Sequence, residues 1–119
     1  MNYKPIIIVG GEPNSIFFEI FFKAIKKKVK SPIILIASEK LILKQAKILK
    51  NKINYSLINE NDLIKKKDKL KKINLINVDL KQNKAFDKIS SKSNEYISSC
   101  FEIALRLIKK DISNKLING

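Results

Sequence analysis

Short apolar runs alternate along this chain with segments whose apolar residues recur every three or four positions. The first two runs are continuous and rich in β-branched residues, which is typical of strands buried on both faces of a sheet, whereas the third alternates loosely between apolar and polar residues. The runs cover residues 4–9, 33–37, 53–58, 73–80 and 116–117. Strands that alternate with helical segments predict an α/β fold, with a mostly parallel sheet and flanking helices.

Three segments have the periodicity of amphipathic helices. The first covers residues 15–28 behind a cap at Asn14 or Ser15, and the second covers residues 39–50 behind a cap at Ser38. The third runs from Ser93 or Asn94 to about residue 110. The first apolar stripe is Ile16, Phe17, Ile20, Phe21, Ala24 and Ile25, widened by Phe18 and Phe22. The second stripe is Leu41, Ile42, Ala46 and Leu49, and the third is Tyr96, Ile97, Cys100, Phe101, Ala104, Leu105 and Ile108.

The segments between these elements are polar. Residues 59–62 form a turn or cap cluster, and residues 81–93 predict a loop with one helical turn. Lysine dominates residues 63–72, which indicates either a solvated loop or short helix, or a basic binding patch. The solvated alternative is the simpler one, because lysines also occur in every other segment.

The net charge of +14 raises the question of an anionic partner. Arg106 is the only arginine among 25 basic residues, whereas nucleic-acid sites usually rely on arginine for bidentate contacts. The chain is also rich in Ile and Asn, which share AT-rich codons with Lys. Base composition therefore explains the charge, and we expect neither a nucleic-acid partner nor a membrane partner.

Few residues offer catalytic chemistry. There is no histidine, which removes the usual general base near neutral pH and the commonest transition-metal ligand but leaves carboxylate-based sites open. Cys100 is the only cysteine, so a disulfide framework is excluded. Cys100 lies on an apolar helical stripe and is predicted to be a small core or surface-facing residue rather than a nucleophile. No apolar run is long enough to cross a bilayer, and no signal peptide is visible, so we expect a cytoplasmic protein.

A glycine-containing loop between the first strand and the first helix is the main candidate site. Gly10, Gly11, Glu12 and Pro13 precede a helix start, where backbone N–H groups favour phosphate. The loop is neither a GxGxxG fingerprint nor a P-loop. It is either a tight turn with a glycine at positive φ or a ligand loop.

The same loop carries a family resemblance. Residues 4–9 followed by Gly11-Glu12-Pro13-Asn14-Ser15-Ile16-Phe17-Phe18-Glu19 resemble the opening of the 4-hydroxythreonine-4-phosphate dehydrogenase family, Gly-Asp/Glu-Pro-Ala-Gly-Ile-Gly-Pro-Glu after a strand. Five positions match, namely Gly11, Glu12, Pro13, Ile16 and Glu19. Four positions depart from the pattern, namely Asn14, Ser15, Phe17 and Phe18.

A second resemblance lies near the last residue. The family has a helix opened by glycine and then a strand that ends in Thr-x-Pro-Ile/Val-x-Lys. Here Asn94 stands at the glycine position and Asn118 at the threonine position, and Gly119 is the residue before the proline of that motif. The two motifs and the units between them cover essentially all 119 residues.

The resemblance implies a two-lobed fold like that of isocitrate and isopropylmalate dehydrogenases, working as a homodimer. It implies oxidation and decarboxylation of 4-phosphohydroxy-L-threonine with NAD and a divalent metal held by histidines, in pyridoxal 5'-phosphate biosynthesis. Residues 1–119 would be the N-terminal α/β segment, an incomplete part of that fold cut at Gly119 and inactive without the remainder of its chain. Gly11, Glu12 and Asn118 would lie near the cofactor cleft, with no catalytic residue or metal ligand in this segment.

Two alternatives remain open at this point. The chain could be a stand-alone, lysine-rich α/β module that binds an anionic partner such as nucleic acid, or the front part of another α/β enzyme.

Overall fold

The computed structural model describes residues 4–27, 29–65, 70–81, 85–87 and 93–119. Within these residues, strands and helices alternate along the chain. In chain order they are β1 (Ile6–Val9), α1 (Phe17–Ala24), β2 (Ile33–Ala37), α2 (Glu39–Ile48), β3 (Ser56–Leu57), α3 (Glu60–Lys65), β4 (Ile73–Asn77), α4 (Asn94–Lys109) and β5 (Leu116–Asn118).

The five strands form one sheet in the order β3-β4-β2-β1-β5. Every described pairing is parallel, with Ile7 of β1 opposite both Ile34 of β2 and Leu116 of β5. This confirms the predicted α/β fold with a mostly parallel sheet and flanking helices. The continuous apolar run of β2 is explained by its burial on both faces, since all five of its residues are buried.

The helices cover both faces of the sheet. Side chains of α1 and α2 pack with Ile33, Leu35 and Ala37 on one face. Side chains of α3 and α4 pack with the alternate residues Ile34 and Ile36 on the other. This division follows from right-handed crossovers, because the chain moves across the sheet in one direction through α1 and α2 and returns through α3 and α4.

The predicted stripe of α1 is confirmed at its three buried phenylalanines but wrong at Ile16 and Ile20, and the predicted start of the helix is also wrong. Ile16 and Ile20 are 66% and 54% exposed, whereas Phe18, Phe21 and Phe22 are buried. The rings at positions 18 and 22 turn toward the sheet because they fill more core volume than the isoleucines. The helix begins at Phe17, and no side chain caps it at Ile16; the Ser15 hydroxyl only accepts a bond from the Phe17 N–H.

The face of α4 was predicted with one error, since Leu105 is 52% exposed and Leu107 is buried. For α2, Leu41, Ile42 and Ala46 are buried as predicted, and Ser38 caps the helix by accepting from Leu41 N at 3.2 Å.

Two strands are shorter than their apolar runs. β3 has only two residues at the sheet edge, and β4 ends at Asn77 although apolar residues continue to Leu80.

The polar cluster at residues 59–62 starts a helix, with Asn59 Oδ1 accepting from Asp62 N at 2.7 Å. The lysine-rich segment begins as the end of α3, while residues 66–69 lie outside the described residues. Only residues 85–87 and Ser93 of the loop predicted at 81–93 are described beyond Lys81, and Ser93 stands in a short helical turn before α4.

Candidate functional site

The glycine loop follows β1 at the carboxyl edge of the sheet and lies directly against the end of β5. Gly11 has a φ of +66°, and a methyl group at its Cα would overlap the carbonyl oxygen of Gly119. Gly119 N donates to Val9 O at 2.8 Å, which holds the two segments together. The structure therefore brings Gly11 and Asn118 together from opposite ends of the sequence, as neighbours at one position of the sheet edge.

Three N–H groups between the loop and the start of α1 are bonded to oxygen atoms of the same segment. The half-buried Glu12 accepts from Asn14 N at its Oε1 (3.1 Å) and from Ser15 N at its carbonyl oxygen (3.2 Å). Ser15 Oγ accepts from Phe17 N at 3.3 Å. The Glu12 carboxylate thus takes the Asn14 N–H group, for which a phosphate at this loop would have to compete.

Gln45 braces the loop from below. This residue of α2 is fully buried, and its Nε2 donates to Pro13 O at 2.9 Å and to Ala85 O at 2.8 Å. Asn14 Oδ1 accepts from Asp87 N at 2.8 Å, which adds a second tie between the same two segments. Gln45 Oε1 has no hydrogen-bond partner among the described residues. Sequence analysis missed this role, although a glutamine between Ile42 and Ala46 on the apolar face of α2 was a visible signal.

A second feature of the carboxyl edge follows from the topology. The helices after β1 and β2 lie on one face, whereas those after β3 and β4 lie on the other. The connections therefore diverge between the neighbouring strands β2 and β4. In open parallel sheets, ligands bind at the carboxyl ends of strands where the connections diverge in this way.

A crevice opens at that point, with a volume of about 570 Å³. We call it the β2–β4 crevice. Its lining residues come from the start of α2 and from the segment that follows β4, and they are Ser38, Glu39, Lys40, Lys44, Asn77, Asp79, Leu80 and Lys81. A smaller hollow of about 300 Å³ adjoins it along Asp79, Leu80 and Lys81, and reaches α4.

Hydrogen bonds between elements hold the walls of the crevice. Ser38 N donates to the buried Tyr96 hydroxyl at 2.9 Å, and Glu39 N donates to Asn77 Oδ1 at 2.8 Å. The Tyr55 hydroxyl donates to Glu39 Oε2 at 2.7 Å. Because these bonds connect α2 with β4, α4 and the segment before β3, the crevice is pre-formed by the fold.

The pKa values of Tyr55, Tyr96 and Cys100, which lie near the crevice, are raised. Burial, aided by the bond to the Glu39 carboxylate, raises the pKa of Tyr55 to about 12. Burial also raises the pKa of Tyr96 above its usual range, and it raises the pKa of Cys100 to about 11. Of the two positions expected for Cys100, core or surface-facing, the structure has the core, since Cys100 is fully buried.

Sequence analysis had treated Ser38 only as a helix cap and had not singled out Asn77, Asp79 or Lys81. Asn77 ends β4 and Asp79 follows it, but both lie inside the run predicted as a strand at residues 73–80. The available signal was that these two polar residues interrupt that apolar run. Finding the crevice required the order of the strands, because β3 is inserted at the sheet edge and leaves β4 beside β2.

Neither a metal nor a membrane site is seen in the described part of the chain. Its residues include no group of three or more His, Cys, Asp or Glu side chains that could hold a metal ion. No described helix is long and apolar enough to cross a membrane.

Comparison with known proteins adds no assignment. No family model matches the chain, and no curated protein is significantly similar to it.

Proposed function

We propose that this chain is the N-terminal α/β part of an NAD- and metal-dependent 4-hydroxythreonine-4-phosphate dehydrogenase. The whole enzyme would be a cytoplasmic homodimer with a two-lobed fold like that of isocitrate dehydrogenase. It would oxidise and decarboxylate 4-phosphohydroxy-L-threonine in pyridoxal 5'-phosphate biosynthesis. One observation supports the proposal: the two stretches that resemble this family meet at the carboxyl edge, where Gly11 lies against Asn118 and Gly119.

In this proposal the chain supplies scaffold and part of a cleft wall. Gly11 lets the loop and the end of β5 approach each other, and Gln45 fixes the loop through Pro13. Asn118 is exposed beside them. NAD supplies a hydride acceptor when it is bound. The N–H groups of Asn14, Ser15 and Phe17 are engaged within the loop, so the proposal assigns the metal and most of the contacts to NAD to residues outside this chain.

Disruption of the gene in its own host tests the proposal. We expect growth to require added pyridoxal, and 4-phosphohydroxy-L-threonine to accumulate, because its oxidation is blocked. The wild-type gene and a Lys47→Ala variant, altered at an exposed position of α2, should restore growth. An Asn118→Ala variant should restore it less well, because it removes a side chain from the cleft wall. Growth of the disrupted strain without pyridoxal would overturn the proposal.

A second experiment tests the part played by this segment. Purified residues 1–119 should produce no NADH from 4-phosphohydroxy-L-threonine, NAD and a divalent metal. Measurable NADH production would show that the segment carries the chemistry itself.

A further inference from the structure

The β2–β4 crevice is separate from the glycine loop, and its lining is rich in cations. Lys40 and Lys44 are four residues apart on α2 and therefore share one side of that helix. Lys81 stands on the opposite wall, in the segment after β4. Lys40 and Lys81 form no ion pair with any residue that the structure describes. Ammonium groups only donate hydrogen bonds, so the three lysines favour an anionic acceptor between the walls.

The backbone at the start of α2 contributes little to such an anion. The N–H groups of Ser38, Glu39 and Leu41 already donate to the side chains of Tyr96, Asn77 and Ser38, respectively. Recognition at this crevice therefore has to come from side chains.

The remaining polar side chains of the crevice have the donors and acceptors that would bond the hydroxyl groups of a ligand. Asn77 accepts from Glu39 N through Oδ1, which leaves its amide NH₂ as a donor. Asp79 is exposed on the crevice wall and only accepts, while Glu39 is already bonded to Tyr55. A hydroxyl group both donates and accepts, so it satisfies Asp79 and Asn77 together.

The volume of the crevice and its lining residues further limit the kinds of ligand that it can bind. A volume of about 570 Å³ lies within the range of small-molecule sites. No aromatic side chain is among the described lining residues, so a nucleobase would find no stacking surface.

We propose that the β2–β4 crevice binds a phosphorylated sugar or similar phosphorylated polyol. The phosphate lies among Lys40, Lys44 and Lys81, and the hydroxyls bond to Asp79 and Asn77. This inference is independent of the dehydrogenase proposal, because it uses a different part of the sheet edge and none of the family motifs.

Titration of the purified chain with ribose 5-phosphate, followed by calorimetry and amide NMR, tests the inference. We expect saturable binding, with shifts confined to residues 38–44 and 77–81. Lys40→Gln and Lys81→Gln should each weaken binding about tenfold, because each removes a charged donor to the phosphate. Lys47→Gln removes the same charge from an exposed position of α2 outside the crevice, and should change binding by less than about twofold.

Several outcomes would overturn the inference. One is the absence of saturable binding, and another is an equal loss of affinity in Lys40→Gln and Lys47→Gln, which would reduce the effect to general attraction by the net charge. Tighter binding of AMP than of ribose 5-phosphate would indicate a nucleotide instead. Inorganic phosphate bound as tightly as ribose 5-phosphate would exclude the hydroxyl contacts.

Asp79→Asn examines the hydroxyl contacts directly, since the substitution keeps the shape of the side chain. We expect this substitution to weaken the binding of ribose 5-phosphate more than the binding of inorganic phosphate. If both ligands bind more tightly to the variant, Asp79 acts only as a repelling charge, and the polyol assignment is wrong.

Discussion

Two regions at the same edge of the sheet differ in how they use their polar groups. At the glycine loop, the N–H groups of Asn14, Ser15 and Phe17 are bonded within the loop, and the space beside Gly11 is filled by Gly119. At the β2–β4 crevice, backbone donors are also engaged, but lysine side chains surround an open volume. The first region is closed by contacts between chain segments, whereas the second is held open by them.

The difference shows that a glycine after a strand does not by itself indicate a ligand. Gly11 lacks a side chain because another backbone segment occupies the space, which is a packing reason. The connections to the helices go to opposite faces of the sheet between β2 and β4, and β1 separates β2 from β5. The crevice that is lined by lysines lies at that point, away from Gly11.

The largest expected effect is a loss of stability at the glycine loop, where Gly11 is in contact with Gly119. Gly11→Ala places a methyl group on the carbonyl of Gly119 at a φ of +66°, which alanine rarely adopts. We expect a loss of at least about 2 kcal/mol in the free energy of unfolding, measured by urea denaturation.

Gly10→Ala is the matched control for that substitution. Its methyl group would lie 3.1 Å from a ring carbon of Phe18 and 3.3 Å from the Ala37 Cβ, in a crowded position without a positive φ. We expect a smaller loss, of about 1 kcal/mol. If Gly11→Ala is no more destabilising than Gly10→Ala, then β5 does not close against the loop.

A second prediction concerns the brace beneath the closed region. Gln45→Met keeps the length of the side chain but leaves the carbonyls of Pro13 and Ala85 without their donor. We expect a loss of about 2 kcal/mol, since removal of the unpartnered Oε1 offsets part of the cost. Lys47→Met, at an exposed position of the same helix, should change stability by less than about 0.5 kcal/mol. Equal stability of the two variants would contradict the role of Gln45 in holding the loop through Pro13 and Ala85.

A third prediction, with a smaller expected effect, concerns how Tyr55 makes the stability of the protein depend on pH. Tyr55 is bonded to Glu39 in the wall of the crevice. The pKa of Tyr55 is raised from 10.0 to about 12, so the folded state keeps a proton that the unfolded state has lost. Its contribution is complete below about pH 10 and disappears as the pH rises toward about 12. Between about pH 9 and about pH 11, wild-type stability should therefore fall more than that of Tyr55→Phe, by roughly 0.5–1 kcal/mol. Identical pH profiles would mean that neither burial nor the bond to Glu39 raises the pKa of Tyr55 in solution.

The sequence predicted the sheet well because β1, β2 and β4 are short strands that are largely buried on both faces. The run at residues 33–37 became β2 without change, and Ser38 capped α2 as its chemistry requires. The buried face of α1 was not predictable from periodicity alone, because Ile16 and Phe18 lie in an almost continuous apolar segment. Only the position of the helix on the sheet decides which of them is covered.

The candidate sites divide in the same way. Gly11, Glu12 and Asn118 were named from motifs, and the structure places Gly11 beside Asn118 while their role in a cleft remains a proposal. Asn77 and Lys81 were not named, since β4 lies beside β2 only because β3 takes the edge. Pairing of strands that are not consecutive is a long-range property that no local pattern contains.

The pairing of β5 with β1 has a kinetic consequence. The ion pair between Lys4 and Asp111 beside these strands joins residues 107 apart in sequence, so docking β5 closes a loop that contains nearly the whole chain. The entropy of closing a loop rises with its length, and contacts at such separation form late in folding. Substitutions in β5 should therefore accelerate unfolding more than they slow folding. The contact between Gly11 and Gly119, which depends on β5 being in place, should therefore be among the last to form.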